Sequence, residues 1–206
     1  MTSDQRDVKC EERIVLTREK RMRLWTYLLD PPVLAILTFV MFYVTEPAER
    51  SLGACLTGVT CIGLVPLAAW LYMIRHPGDF HGERRVGFVL SIAGYVAGTL
   101  IMVVFFRDRR LDMALMLSYM FTVVGLTLVN LLHYKASGHG AGAAGPAMAF
   151  TIMYGWLGTI SFALLALVAV AKMDVKDHTL GQLCTGAAIA AVSTIIAFLV
   201  MGILRV

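Results

Sequence analysis

ASGHGAGAAGPAMAFTIMYGWLGTISFALLALVAVA, residues 136–171, is a run of 36 residues without Asp, Glu, Lys or Arg. As one straight helix it would measure about 54 Å, nearly twice the hydrocarbon thickness of a bilayer. Near its middle stands Tyr154-Gly155-Trp156-Leu157-Gly158, in which two glycines flank an interfacial aromatic. Gly is where a helix most readily stops and turns. The reading is therefore two short antiparallel helices, about 141–154 and 159–172, with the chain doubling back between them. The first is rich in Gly and Ala, which lets helices approach closely inside a membrane.

Working outward, further runs without these four residue types cover 51–74, 86–106, 113–134 and 179–204. Their lengths suit membrane spans. The composition agrees, with 58% hydrophobic and 16% charged residues against roughly 25% charged in soluble chains. Mean hydropathy is +0.74. A soluble enzyme, a nucleic-acid module and a disordered chain are excluded together. A shorter apolar run, 31–45, follows Asp30-Pro31. There the carboxylate is expected to cap the helix and Pro to occupy its first position. The fold class expected is all-α, a polytopic transmembrane bundle of about seven crossings, or six if 136–171 stays one helix.

Three regions follow: 1–23, a polar cytosolic tail and interfacial segment; 24–74, membrane helices; and 75–206, the membrane core. Seven basic residues fall within the first 23. No small-residue cleavage site follows the first apolar run, which argues against a secretory signal. Trp25 and Tyr27 beside Arg23 read as an interfacial anchor. The cysteines Cys10, Cys55, Cys61 and Cys184 make no metal-binding spacing and read as small buried hydrophobes. With seven crossings, 13 basic residues lie on the side of the N-terminus and 5 opposite. The positive-inside rule then makes the N-terminal side cytoplasmic.

Three polar clusters share that side. Lys135-Ala136-Ser137-Gly138-His139-Gly140 puts a cation, a hydroxyl and an imidazole at the start of a Gly-rich helix, where backbone N–H groups attract anions. His178 and Gln182 stand four apart, so the amide can orient the ring. Asp79, His81, Glu83, Arg84 and Arg85 form the third cluster, and paired guanidiniums suit phosphate.

Ser137-Gly138-His139, followed by Lys172-x5-His178-x3-Gln182, resembles the membrane phosphatases of the type-2 phosphatidic acid phosphatase superfamily. The resemblance covers about 75–204, and divergent small prokaryotic branches of that family are similar in carrying Gln at the last position. It implies a phosphatidic acid phosphatase-like core with both motifs on one membrane face. By that resemblance His178 is the nucleophile, His139 protonates the leaving oxygen, and Gln182 stands where the family usually has the Asp that orients the nucleophile. Ser137, Gly138, Lys135 and Lys172 hold phosphate oxygens, with Lys172 in place of the motif arginine. The family's Lys-x6-Arg-Pro motif is absent; Arg84 or Arg85 supplies its arginine, with Asp79 and Glu83 as support. Ala171 replaces the expected serine.

The implied activity is hydrolysis of a lipid phosphate or isoprenoid (di)phosphate through a phosphohistidine, with no metal or other cofactor. Opposite protonation demands on the two histidines imply a bell-shaped pH profile. The expected partners are the lipid phosphate and the bilayer, not nucleic acid, and the Gly/Ala-rich faces leave room for a homo-oligomer. The competing class is a non-catalytic lipid-phosphate binder or small membrane transporter, which would use the same basic pocket without a paired set of histidines. Haem ligation is disfavoured, because all five histidines sit at one boundary.

Overall fold

Gly155 adopts φ +61° and ψ −135°, a region that side chains other than Gly rarely enter, and the preceding helix stops there. In the computed structural model, which describes residues 25, 27–48, 51–174 and 178–204, the decisive stretch is accordingly two helices. Gly138–Tyr154 passes through a 3-10 segment, Gly155–Ser161, into Phe162–Asp174. The Ser161 hydroxyl donates to the Ala147 carbonyl at 3.4 Å. Fourteen residues along a straight helix would hold them about 21 Å apart. Leu165 and Val168 pack in one apolar cluster with Ala143, which fixes the antiparallel pairing. The second helix begins a little later than expected because the reversal itself occupies 155–161.

The helices in chain order are α1 Pro31–Thr45, α2 Leu52–Arg75, α3 Phe80–Phe105, α4 Arg110–Leu131, α5 Gly138–Tyr154, α6 Phe162–Asp174 and α7 Leu180–Val200. No strand occurs among the described residues. α2 contains a π-helical turn, Val59–Leu64, with Pro66 two residues beyond its end. α2, α3, α4 and α7 are each long and apolar enough to cross a membrane, as is 138–174 taken whole, which the reversal divides into the shorter α5 and α6; α1 is apolar but shorter. The molecule is an all-helical bundle built for a bilayer.

α3 differs from expectation at its start. The polar segment 76–85 reads as a loop, yet only its first residues turn the chain. The Asp79 carboxylate accepts the Gly82 N–H at 2.9 Å, so the helix begins at Phe80 and carries Glu83, Arg84 and Arg85 on its first turns. The cysteines also divide: Cys55 and Cys61 are buried, whereas Cys184 is exposed on α7. The tail 1–23 and the basic residues Arg50, Lys176 and Arg205 lie outside the described residues.

The two ends of the bundle are chemically unlike. At one end the core is aromatic and aliphatic, with Phe39, Phe42, Met116 and Phe198 buried together and Thr45 hydrogen-bonded to Tyr154 at 2.6 Å. The other end gathers the starts of α1, α3, α5 and α7 with the ends of α2, α4 and α6. There α5 and α7 are in backbone contact. The Ser137 N–H donates to the Gln182 carbonyl at 3.0 Å, and a Cβ at Gly186 would collide with the Ser137 carbonyl. Small residues on both helices allow this approach.

Candidate functional site

A cavity of about 1120 Å³ enters the bundle at its polar end. It passes His139 and reaches Ala149, ten residues along α5, which is about 15 Å deeper. His139 and His178 flank its mouth with ring centroids 5.7 Å apart. Thirty-nine positions separate them in sequence. The reversal at Gly155 brings α6 back beside α5, and the chain then delivers His178 to the head of α7.

His178 is 9% exposed and immediately precedes the α7 cap. Thr179 and Gln182 form a reciprocal capping box: the Thr179 hydroxyl accepts the Gln182 N–H at 3.3 Å, and Gln182 Oε1 accepts the Thr179 N–H at 3.1 Å. The same Oε1 lies 3.4 Å from His178 Nδ1. The expected His178–Gln182 pairing is therefore present, although it arises from helix-cap geometry and not from two residues on one helix face. A ring that donates its Nδ1–H to the amide presents its lone pair at Nε2.

Lys172, in the last turn of α6, is 9% exposed and lines the cavity. Lys135 reaches it from the α4–α5 loop, where the Asn130 side chain accepts the Ala136 N–H at 3.1 Å. Glu83 and Arg84 line it from the first turns of α3, and Glu83 is within electrostatic reach of Asp30, Lys172 and Arg84. Gly138 lines it as well, in open space where a Cβ would meet nothing.

Other expected site residues stand back from the cavity. Ser137 is wholly buried, and its hydroxyl oxygen accepts the Gly140 N–H at 3.3 Å as the α5 cap. Asp79 is engaged by the Gly82 N–H and the Tyr72 hydroxyl, which together hold its carboxyl below the ordinary range. Arg85 acts electrostatically on Tyr72 and is not part of the cavity lining. Of the two adjacent arginines, only Arg84 meets the site.

The residue that sequence reasoning missed is Asp30. It was expected to cap α1, but its side chain makes no cap hydrogen bond. The reason is local. Pro31 and Pro32 lack N–H groups, and the next donor, Val33 N–H, goes to the Asp30 backbone carbonyl at 2.9 Å. Released from capping, the carboxylate turns into the site. Oδ1 lies 3.2 Å from His139 Nε2, and Oδ2 accepts the Trp70 indole N–H at 3.2 Å. The Asp-Pro-Pro triplet was the available signal, since consecutive prolines deprive an N-cap carboxylate of donors.

Deeper down, the walls carry hydroxyl groups from Ser118, Tyr119, Thr122 and Thr194. Ser118, Thr122 and Thr194 donate to carbonyls of their own helices. The Tyr119 hydroxyl is buried beside the Thr38 hydroxyl, which gives its own proton to the Leu34 carbonyl at 2.7 Å. Among the described residues no group of three or more His, Cys, Asp and Glu is placed to hold a metal ion. A scan against protein-family models, a search of curated proteins and a search of solved structures each find no match for this chain.

Proposed function

We propose that the protein is an integral membrane lipid-phosphate phosphatase, acting on a phosphate or diphosphate monoester whose head enters at the polar end of the bundle. The observation that carries this reading is the His139–His178 pair, 5.7 Å apart at the mouth of a cavity lined by Lys135, Lys172 and Arg84. The resemblance of the Ser137–His139 and Lys172–Gln182 segments to the type-2 phosphatidic acid phosphatase superfamily points the same way. The cation excess on this side of the chain supports a cytoplasmic active-site face.

The steps follow from general phosphoryl-transfer chemistry. Lys135, Lys172 and Arg84 draw the phosphoryl oxygens to the mouth and offset charge in the transition state. The His178 Nε2 lone pair attacks phosphorus while the bond to the leaving oxygen breaks, the lipid oxygen of a monophosphate or the bridging oxygen of a diphosphate, and His139 gives its proton to that oxygen. Water then attacks the phosphohistidine, its proton passes to His139, and the nitrogen–phosphorus bond breaks to release inorganic phosphate. The apolar tail lies in the cavity and between helices.

The test is phosphate release by the purified full-length chain in micelles, with phosphatidic acid and a prenyl diphosphate as substrates, in the presence of a chelator. Turnover that persists with excess chelator is expected. Tight binding of both lipids with no phosphate released would favour the binder reading, and counterflow across vesicles would favour the transporter. A further expectation concerns the amide. Gln182→Ala removes the acceptor of the Thr179 N–H and the hold on His178 Nδ1, so kcat should fall about 10–100-fold, the loss found when a metal-bound histidine is deprived of its outer hydrogen-bond partner. Initial rates at saturating lipid measure it.

A further inference from the structure

Asp30 belongs to no motif and lies more than a hundred residues before His139 in the chain, yet its carboxylate meets the His139 ring directly. Both of its oxygens are assigned: Oδ1 to His139 Nε2 at 3.2 Å and Oδ2 to the Trp70 indole at 3.2 Å. Trp70 is itself held by the edge of Tyr27, with ring centroids 5.4 Å apart. The backbone below Asp30 is equally fixed, because a Cβ at Gly142 would run into Pro31, so α1 and α5 touch directly at this level. Two distant segments thus meet with a carboxylate and an imidazole in register. The His139 and Asp30 side chains are only 21% and 22% exposed, so water competes weakly for the contact.

We infer that Asp30 is a positioning residue for catalysis: it accepts the Nε2–H of His139 and so fixes Nδ1 as the atom that gives and retakes the proton. The inference rests on His139 being the proton donor of the proposed phosphatase. With Nε2–H committed to the carboxylate, the charged ring has its second proton at Nδ1. Transfer to the leaving oxygen leaves a neutral ring, still bound to Asp30, whose Nδ1 lone pair takes the proton of the attacking water. The proton inventory closes after each turnover. A carboxylate in this position holds both tautomer and orientation and stabilises the ring while it is charged. Glu83, Asp174, His81, Arg84, Lys135 and Lys172 also line the cavity, and the Asp30 contact places a carboxylate oxygen directly on the His139 ring.

The experiment compares Asp30→Asn with the unaltered chain on two phosphate monoesters. An alkyl lipid phosphate needs its leaving oxygen protonated, whereas a nitrophenyl phosphate leaves as a stable anion and does not. Loss of His139 positioning should lower kcat on the lipid about 10²–10⁴-fold, the contribution of a placed general acid, with no more than a few-fold loss on the nitrophenyl ester. Asp30→Glu, which restores a carboxylate, should recover part of the lipid activity. Equal losses on both substrates, or none on either, would overturn the assignment. A second measurement needs no variant activity. In the 15N spectrum of the full chain labelled at histidine, neutral His139 should carry its proton at Nε2, and a proton at Nδ1 would overturn the pairing. If the unaltered chain hydrolyses neither ester while the spectrum gives Nε2–H, the phosphatase reading fails and the pairing stands.

Discussion

His178→Ala is expected to lower kcat on a lipid phosphate by at least about 10⁴-fold, because in the proposed reaction it removes the nitrogen that bonds to phosphorus and not merely a group that assists. Binding should change far less. Lys135, Lys172 and Arg84 line the cavity independently of the imidazole, so KM should move by a few-fold only. Folding should survive as well, since the α7 cap is made by Thr179 and Gln182, neither of which needs the ring. Rapid acid-free quenching of the unaltered chain with labelled substrate should trap a phosphoenzyme that is stable in base and labile in acid; the variant should trap none. His139→Ala provides the contrast. It should lose about 10²–10⁴-fold, as expected for a general acid, and still form some phosphoenzyme from a substrate with a good leaving group. Undiminished phosphate release from both variants would remove the assigned roles. A variant at His178 that still traps phosphate would transfer the nucleophile to another side chain.

How much of this could be read from residues alone differs by level. The reversal at Gly155 was legible because a 36-residue uncharged run is too long for one crossing and contains a glycine pair beside an aromatic. Helix boundaries were less so: α3 starts at Phe80 because one carboxylate, Asp79, captures the Gly82 N–H, and that competition between loop and helix is settled by a single hydrogen bond. The His178–Gln182 pairing was legible from its four-residue spacing, whereas His139 was singled out only through the family resemblance, and Ser137 shows the limit of both. The same serine serves equally well as a phosphate ligand or as a helix cap, and only burial against α7 places it in the second role. Arg84 and Arg85 are adjacent in the chain, yet successive helical residues point about 100° apart, so only one meets the cavity. Asp30 was invisible as a site residue because its partners, Trp70 and His139, are 40 and 109 positions away. Local chemistry gave only half the clue, namely that two prolines free its carboxylate.

The largest loss of stability is expected from Gly186→Val. At this position α7 passes so close to the α4–α5 loop that a Cβ would overlap the Ser137 carbonyl oxygen, with the Ser137 carbonyl carbon and amide nitrogen close behind. The atoms in the way are backbone, so no rotamer change can make room. Either the helices part or the first turn of α5 gives up its seat. Overpacking of this kind costs about 1–3 kcal/mol for a side chain that can be accommodated, and more where backbone must move. Parting the helices would also release the Ser137 N–H from the Gln182 carbonyl, leaving a donor in a region poor in water. A fall in melting temperature of roughly 10 °C in micelles is the expected result, taking 2–4 °C per kcal/mol for a chain of this size. The same displacement carries His139 away from His178, because His139 is the second residue of α5 and His178 immediately precedes the α7 cap. Turnover should therefore drop at temperatures where the variant is still folded. Thermal unfolding followed by intrinsic fluorescence, alongside initial rates well below the transition, measures both effects. Gly138→Ala is the matched comparison, since a Cβ there meets nothing within 4 Å; its melting temperature should stay within a few degrees of the unaltered chain. If Gly186→Val melts with Gly138→Ala, then α5 and α7 are not in backbone contact, and the packing that sets the two imidazoles side by side is not the one described.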